Sequence, residues 1–209
     1  MAFHRRRSVG RALLAFLERE LRARVHRRRQ GVALVVLLRG LNVGGRRAFR
    51  PTTLVERLRH LDVVNIGAAG TFVIRRPVGR TQLRAEIARE LPFDAEIVIC
   101  EGREIVRLVS HDAFAGVSER PDIVRFVSVL SRRHRIAPEL PMKLPSRGDW
   151  LVRVLARDGR FVFGEYRRHM KVIGYLGTLD RAFGVPATTR NWHTIRAITK
   201  ILNDGASGA

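Results

Sequence analysis

Residues 32–38 read Val-Ala-Leu-Val-Val-Leu-Leu, an uninterrupted apolar run rich in β-branched side chains. Such a run is typical of a strand that is buried on both faces of a sheet. The segments that follow it predict, in order, helix 51–61, strand 63–66, strand 71–75, helix 80–91 and strand 96–100. This βαββαβ order predicts a ferredoxin-like sandwich, in which an antiparallel sheet carries its helices on one face.

The second part of the chain repeats related elements. A helix over 104–109 and a polar break at 118–122 precede a strand at 124–130. A proline-containing loop then leads to a hairpin, whose strands 150–156 and 161–166 flank Asp158-Gly159. Helix 176–183 and a helix that opens near Thr189 complete the pattern. We therefore expect an α+β fold of two ferredoxin-like subdomains, residues 31–117 and 119–203, followed by a tail at 204–209.

Residues 1–30 differ from the remainder because they contain ten arginines and only two acidic residues. Leu14, Leu17, Leu21 and Val25 recur at helical spacing, which predicts a basic amphipathic helix over residues 10–28. The apolar stretch 12–17 is shorter than the roughly 7–15 residues of a secretion-signal core. We interpret residues 1–30 as an extension that folding does not require, with attachment to anionic lipid as an alternative.

The composition is strongly basic. The formal net charge is +21, and only three of the 40 basic residues are lysines. Such a field attracts nucleic acid and other polyanions. Biased coding in a GC-rich genome would also produce so many arginines, and the sequence leaves both explanations open.

Several chemistries are absent from the sequence. Cys100 is the only cysteine, so neither an intrachain disulfide nor a cysteine-based zinc site is possible, and its apolar surroundings predict a buried, unreactive thiol. The seven histidines do not fall at metal-ligand spacing, and no phosphate-binding P-loop or nucleophile elbow is present. We therefore expect no metal, no cofactor and no transmembrane segment, and a cytoplasmic location.

Two motifs carry a resemblance. Leu37-Leu38-Arg39-Gly40-Leu41-Asn42-Val43-Gly44-Gly45 and Thr188-Thr189-Arg190-Asn191-Trp192-His193-Thr194 occur in this order about 145 residues apart. Together they resemble the bacterial family described as domain of unknown function 1697, over residues 32–203. The resemblance implies two ferredoxin-like subdomains and no established reaction. Many relatives have a Gln-Ser-Gly-Asn type turn where this chain has Gly67-Ala68-Ala69-Gly70.

These motifs also supply the candidate site. The glycines of the first motif allow backbone N–H groups to approach an anion, and a helix beginning at Thr188 or Thr189 would offer its N-terminus to the same ligand. We expect one anion-binding cleft, formed by Arg39, Asn42, Gly44, Gly45, Thr189, Arg190 and Asn191. The alternative is that the glycines serve tight turns and that each arginine pairs with an acid or a carbonyl group.

Anion or polyanion binding is the function that these features favour, with nucleic acid first because of the charge. An enzyme for a small phosphorylated or carboxylated substrate is one alternative, although His193 is the only titrating side chain close to the predicted cleft. A non-catalytic assembly protein is another. Phe161 and Phe163 alternate as in base-stacking strands, but we expect them to lie in the core.

Overall fold

The computed structural model describes residues 20, 33–40, 49–116, 120–135 and 138–204. Four strands form the first sheet: β1 (Leu34–Leu38), β2 (Val63–Asn65), β3 (Thr71–Ile74) and β4 (Ile97–Glu101). Their order is β2-β3-β1-β4, and all neighbours are antiparallel. Val35 of the central strand β1 lies opposite Val73 on one side and Cys100 on the other. The strand predicted at 32–38 is observed as β1 (Leu34–Leu38), and its place inside the sheet agrees with its unbroken apolar run.

Five strands form the second sheet: β5 (Ile123–Leu130), β6 (Met142–Leu144), β7 (Val152–Asp158), β8 (Phe161–Arg167) and β9 (Ala187–Asn191). Their order is β6-β7-β8-β5-β9, again antiparallel throughout. The hairpin predicted around Asp158-Gly159 is confirmed as β7 and β8, and Gly159 has the positive φ of +57° that its turn requires. The protein is therefore an α+β protein with two antiparallel sheets.

Within the described residues, five α-helices accompany the sheets: α1 (Pro51–Arg57), α2 (Arg80–Glu90), α3 (Gly102–Val109), α4 (Val172–Phe183) and α5 (Trp192–Asp204). Helix α1 begins with a proline, a residue whose fixed φ suits the first helical position. At the start of α3, Glu101 and Glu104 form a capping box, and Glu104 Oε2 accepts a hydrogen bond from the Glu101 N–H at 2.8 Å. Gly184, at φ +68°, ends α4.

Both faces of each sheet are packed. Helices α1 and α2 cover one face of the first sheet, where Val36, Leu54 and Leu83 belong to one buried cluster. Helix α4 covers one face of the second sheet through Leu179 and Phe183. The two remaining faces share a single central cluster with α3 and α5, which includes Val35, Leu37, Cys100, Ile105, Val127, Phe163, Ile195 and Ile198. The two sheets are therefore joined by a continuous apolar layer.

The structure differs from the sequence prediction at two strands. Strands β6 and β9 were not predicted, because Met142–Leu144 is too short for a pattern and residues 187–191 were assigned to a helix start. The predicted basic helix at 10–28 lies outside the described residues, apart from Glu20.

The described helices do not include one that combines the length and the apolar character needed to cross a membrane.

Candidate anion-binding site

Arg190 lies at the seam between the two halves of the chain, where its guanidinium group is surrounded by backbone oxygens. Its Nη2 donates to the carbonyl oxygens of Leu38 (2.8 Å), Ala69 (2.7 Å) and Gly70 (3.0 Å). Its Nε donates to Thr71 Oγ1 at 2.7 Å, and its Nη1 donates to the carbonyl of Thr189 at 2.8 Å. The residue is only 7% exposed. Burial lowers the pKa of Arg190 to about 10, so the group stays charged at neutral pH.

Arg39 takes part in a second contact across the same seam. Its Nη2 donates to Asp180 Oδ2 on α4. Asp180 Oδ1 accepts a further hydrogen bond, from the backbone N–H of Ala187 at 2.9 Å. Arg39 and Arg190 thus bind acceptors of the opposite half of the chain, which leaves their guanidinium groups committed to internal contacts.

The other predicted site residues lie in different parts of the chain, and three of them are outside the described residues. Asn42, Gly44 and Gly45 lie outside the described residues. Thr189 lies in β9, where its hydroxyl forms a 2.6 Å hydrogen bond with Ser128 Oγ. A helix start at Thr188 or Thr189 is therefore wrong, because residues 187–191 pair with β5 and the buried Thr188 and Arg190 alternate with more exposed neighbours.

Helix α5 begins instead at Trp192, and Asn191 is the residue that caps it. Asn191 Oδ1 accepts hydrogen bonds from the Thr194 backbone N–H at 2.7 Å and from Thr194 Oγ1 at 2.8 Å. The N–H groups of Trp192 and His193 have no acceptor within the helix, as in the first turn of any α-helix. No acidic residue occupies this first turn. The N-terminal end of α5 consequently keeps its positive potential.

A recess of about 290 Å³ opens at this helix end. We call it the α5 pocket, and its lining residues are Arg120, Ile123, Val124, Arg125, Glu165, Arg168, Asn191, Trp192, His193 and Arg196. These lining residues include four arginines and one carboxylate, that of Glu165. Arg196 lies one helical turn after Trp192 on the same side of α5, so both side chains reach the pocket. Of the predicted site residues that the structure describes, Asn191 alone lines it.

Arg125 lies over the Phe114 ring, with its Cζ 5.3 Å from the ring centroid, and two further pocket arginines are held by neighbouring groups. Arg120 forms a two-pronged contact with Asp122, at 3.0 Å from Nε to Oδ1 and 3.0 Å from Nη2 to Oδ2. This hydrogen bonding lowers the pKa of the Asp122 carboxyl. Arg168 donates from Nε to the carbonyl oxygen of Pro121 at 3.1 Å. These contacts hold the two side chains at the rim, which is also where Arg196 and His193 are exposed.

Glu165 lies at the bottom of the pocket in a row of charges that crosses the second sheet. It lies directly opposite Arg125 of β5 and Arg153 of β7. Its Oε2 accepts a hydrogen bond from Arg153 Nη2 at 2.7 Å. Its Oε1 is 4.0 Å from Arg125 Nε and accepts no hydrogen bond from the described residues. Glu165 is fully buried, so this oxygen is a buried acceptor without a donor.

A second recess, of about 320 Å³, lies beside α3 and the β7–β8 turn. Here the basic side chains meet acids of the same protein. Arg80 Nη2 donates to Glu101 Oε1 at 2.8 Å, and Arg160 Nη2 donates to Glu104 Oε2 at 3.1 Å. Ion pairs therefore line part of this recess, and its three acids, Glu101, Glu104 and Asp158, offset more positive charge than the one acid of the α5 pocket.

Among the described residues, the other reactive groups do not form a site. Burial raises the pKa of the Cys100 thiol to about 12, which agrees with the predicted unreactive cysteine. Phe161 and Phe163 are buried, as expected for core residues. Within the part of the chain that the structure describes, no three histidine, cysteine or acidic side chains are grouped as a metal site would require.

Sequence reasoning missed Glu165 and Arg125 as pocket residues, although a pattern in the strands points to them. Glu165 is two and four residues from the buried Phe163 and Phe161, and Arg125 has the same relation to Val127 and Val129. Because side chains alternate across a strand, both charges fall on the inward face. A charge at an inward position of a buried strand indicates a paired or functional group.

Comparisons with protein-family models, with curated proteins and with solved structures find no match for this chain. The fold and the site define an α+β protein of two antiparallel sheets, with a basic pocket at the N-terminal end of α5.

Proposed function

We propose that this protein binds phosphate-bearing ligands and that the α5 pocket holds the phosphate group. The observation that carries the proposal is the convergence of four arginines with the N-terminal end of α5 on one recess. A helix N-terminus directs N–H groups and a positive potential at an anion, and guanidinium groups match phosphate oxygens in pairs.

Nucleic acid is the phosphate source that we propose first. The net charge of +21 supports attraction of the polyanion over a longer range than the pocket itself. Because both faces of each described sheet are packed, the described residues offer bases no open sheet face on which to stack. The proposal is therefore contact with the phosphate backbone, in which binding is steeply salt-dependent and largely independent of sequence.

The test compares two double variants that remove the same charge. Arg168→Ala with Arg196→Ala removes two arginines of the pocket. Arg89→Ala with Arg181→Ala removes two exposed arginines from α2 and α4, outside the pocket. Binding of labelled single-stranded and double-stranded oligonucleotides, and of pyrophosphate, is measured between low and physiological salt.

We expect the pocket variant to lose at least about tenfold in affinity, since hydrogen bonds to charged groups contribute about 1.5–3 kcal/mol each. The control variant should retain most of its affinity. Equal losses of affinity in the two variants would contradict the proposal that the α5 pocket holds the phosphate, and would indicate a diffuse electrostatic attraction instead. Binding of pyrophosphate without oligonucleotide binding would favour the alternative of a small anionic substrate.

Three further assignments are proposals on the same basis. The order β2-β3-β1-β4 and the corresponding order β7-β8-β5-β9 support two ferredoxin-like halves, the second without its first helix among the described residues. The motifs at 37–45 and 188–194 support membership of the domain of unknown function 1697 family. A single buried thiol supports a cytoplasmic location.

A further inference from the structure

Two apolar side chains project into solvent next to a pocket arginine. Among the described residues only three large apolar side chains are exposed, and two of them are Met170 (92% exposed) and Ile173 (68%). Met170 lies in the turn between β8 and α4, and Ile173 lies in the first turn of α4. We call this pair the α4 wedge, and we infer that it inserts between neighbouring bases of duplex DNA whose backbone phosphate lies in the α5 pocket. This inference rests on the proposed function, because it describes a second contact with the same partner.

The backbone that carries the wedge is held in place, although the wedge itself is unpacked. The Arg168 N–H donates to the carbonyl oxygen of Asp122 at 3.0 Å, and the Lys171 N–H donates to His169 Nδ1 at 3.1 Å. The Val172 N–H donates to the carbonyl oxygen of His169 at 3.1 Å, and the Val172 side chain is buried. The wedge is therefore presented on a preorganised turn, which reduces the entropy that binding costs.

The charges around the wedge suit an anionic partner. Residues 166–179 contain Arg167, Arg168 and Lys171 and no acidic residue. Arg168 also lines the α5 pocket. Because Arg168 and Met170 are two residues apart, their Cα atoms are separated by at most about 7 Å, which corresponds to about two nucleotide steps of 3.4 Å. A phosphate in the pocket and a base step at the wedge would therefore belong to neighbouring nucleotides.

The helix surface that continues from the wedge has no side chains that would keep a partner at a distance. Gly174 and Gly177 are exposed in α4, and a Cβ atom at either position would have no atom within 4 Å beyond the local helix backbone. Packing among the described residues therefore does not require these glycines, although glycine destabilises a helix interior relative to alanine. Both glycines allow the backbone of another molecule to approach α4 closely.

The extent of this surface distinguishes between kinds of partner. A stable protein interface takes about 800 Å² from each side, which is more than two side chains provide. A helix that lies in a membrane surface needs a continuous apolar face, whereas the exposed side of α4 continues with glycines and then with Arg181. Proteins that kink DNA insert single aliphatic side chains such as methionine and isoleucine at a base step, next to arginine and lysine. The size and the charge of the surface therefore favour duplex DNA.

The test uses a DNA duplex that carries 2-aminopurine, a base whose fluorescence rises when it is unstacked, at a central TA step. Such pyrimidine–purine steps unstack most easily. The same duplex with one unpaired base at this step provides the comparison. Met170→Ala with Ile173→Ala is the wedge variant, and Val109→Ala, which truncates the third exposed large apolar side chain, on α3, is the control.

We expect the wild type and the control to raise the fluorescence on binding. Both should bind the duplex with the unpaired base at least about fivefold more tightly than the fully paired duplex, because less stacking has to be broken there. The wedge variant should lose both effects and keep the salt dependence of its binding to the paired duplex, since the pocket arginines are intact. Both substituted side chains are exposed, so we expect the variant to fold.

Three results would overturn the inference. If the wild type leaves the fluorescence unchanged, or if the wedge variant still raises it, the wedge does not enter the base stack, whereas phosphate binding is unaffected. If the wedge variant binds both duplexes as the wild type does but loses binding to vesicles of phosphatidylcholine and phosphatidylserine, the wedge contacts lipid instead. If the wild type binds neither the duplexes nor pyrophosphate at low salt, the proposed function fails as well.

Discussion

Arg190 Nη2 donates a hydrogen bond of 2.8 Å to the carbonyl oxygen of Leu38, which lies 152 positions earlier in the chain. The same guanidinium group reaches Thr71 and the carbonyls of Ala69 and Gly70 in the first half. One side chain of β9 therefore donates hydrogen bonds to carbonyl oxygens both at the end of β1 and in the turn before β3. The two motifs that were expected to share an anion do meet in space, but through contacts with each other.

Arg190→Lys should destabilise the protein by about 2–4 kcal/mol, because an ammonium group cannot serve this set of acceptors and leaves buried carbonyls without a donor. Urea unfolding of the variant and of Arg181→Lys, an exposed arginine of α4, provides the measurement and its control. If the free energy of unfolding falls by less than about 0.5 kcal/mol, as is typical of surface substitutions, the contact between the two halves of the chain does not depend on the guanidinium geometry of Arg190.

Asp180→Ala should cost more stability than Arg39→Ala. The Arg39–Asp180 pair is partly exposed, with side-chain exposures of 34% and 27%, so the ion pair itself contributes about 0.2–1 kcal/mol. Asp180 also accepts the Ala187 N–H, and losing this hydrogen bond adds about 1 kcal/mol. The unfolding free energies of both single variants and the double variant give the coupling energy between Arg39 and Asp180.

Arg39→Ala should leave phosphate binding unchanged, since Arg39 does not line the α5 pocket. Weakened phosphate binding in this variant would instead support the anion-binding cleft predicted from the sequence.

Gly164→Ala should destabilise the fold by about 1–3 kcal/mol through overpacking. A Cβ atom at this position would lie 2.5 Å from the carbonyl oxygen of Arg153 and 2.5 Å from the Phe126 ring. Gly177→Ala is the matched control, because Gly177 lies exposed in α4 and the added carbon would have no atom within 4 Å beyond the local helix backbone. There we expect a gain of about 0.5–1 kcal/mol from the helix preference of alanine. Thermal or urea unfolding that ranks the two variants in the opposite order contradicts the packing described for β8.

Ionisation of the Cys100 thiol should lower the free energy of unfolding as the pH rises above about 9. Burial raises the thiol pKa from 9.0 to about 12 in the folded protein, so the unfolded chain releases its proton first. The stabilisation is complete below pH 9 and is lost as the pH rises towards 12, with a slope of up to about 1.4 kcal/mol per pH unit. Cys100→Ala lacks this contribution, so its unfolding free energy should decline less steeply over the same range. Parallel curves for the wild type and the variant would show that the thiol ionises equally easily in both states.

Much of the local structure follows from the sequence. The apolar run at 32–38 predicts β1, and the alternation of 150–156 and 161–166 around Asp158-Gly159 predicts the hairpin of β7 and β8. These elements were predictable because side-chain periodicity and turn chemistry act over a few neighbouring residues. The start of α5 was misplaced by about three residues because Thr188-Thr189 also suits a cap, and only pairing with β5 makes these residues a strand.

The sequence by itself determined the two-sheet α+β character, the buried cysteine and the strongly basic charge. The tertiary structure decided which arginines are committed to internal contacts and which line a recess. The sequence predicts that Arg39 and Arg190 bind a ligand. In the folded protein, Arg39 pairs with Asp180, and Arg190 donates to the carbonyl oxygens of Leu38 and Gly70. Glu165 and Arg196, 31 positions apart, share a pocket only because β8 passes the N-terminal end of α5. A charge acts on whatever lies within a few ångströms of it, and for these residues those neighbours come from distant parts of the chain.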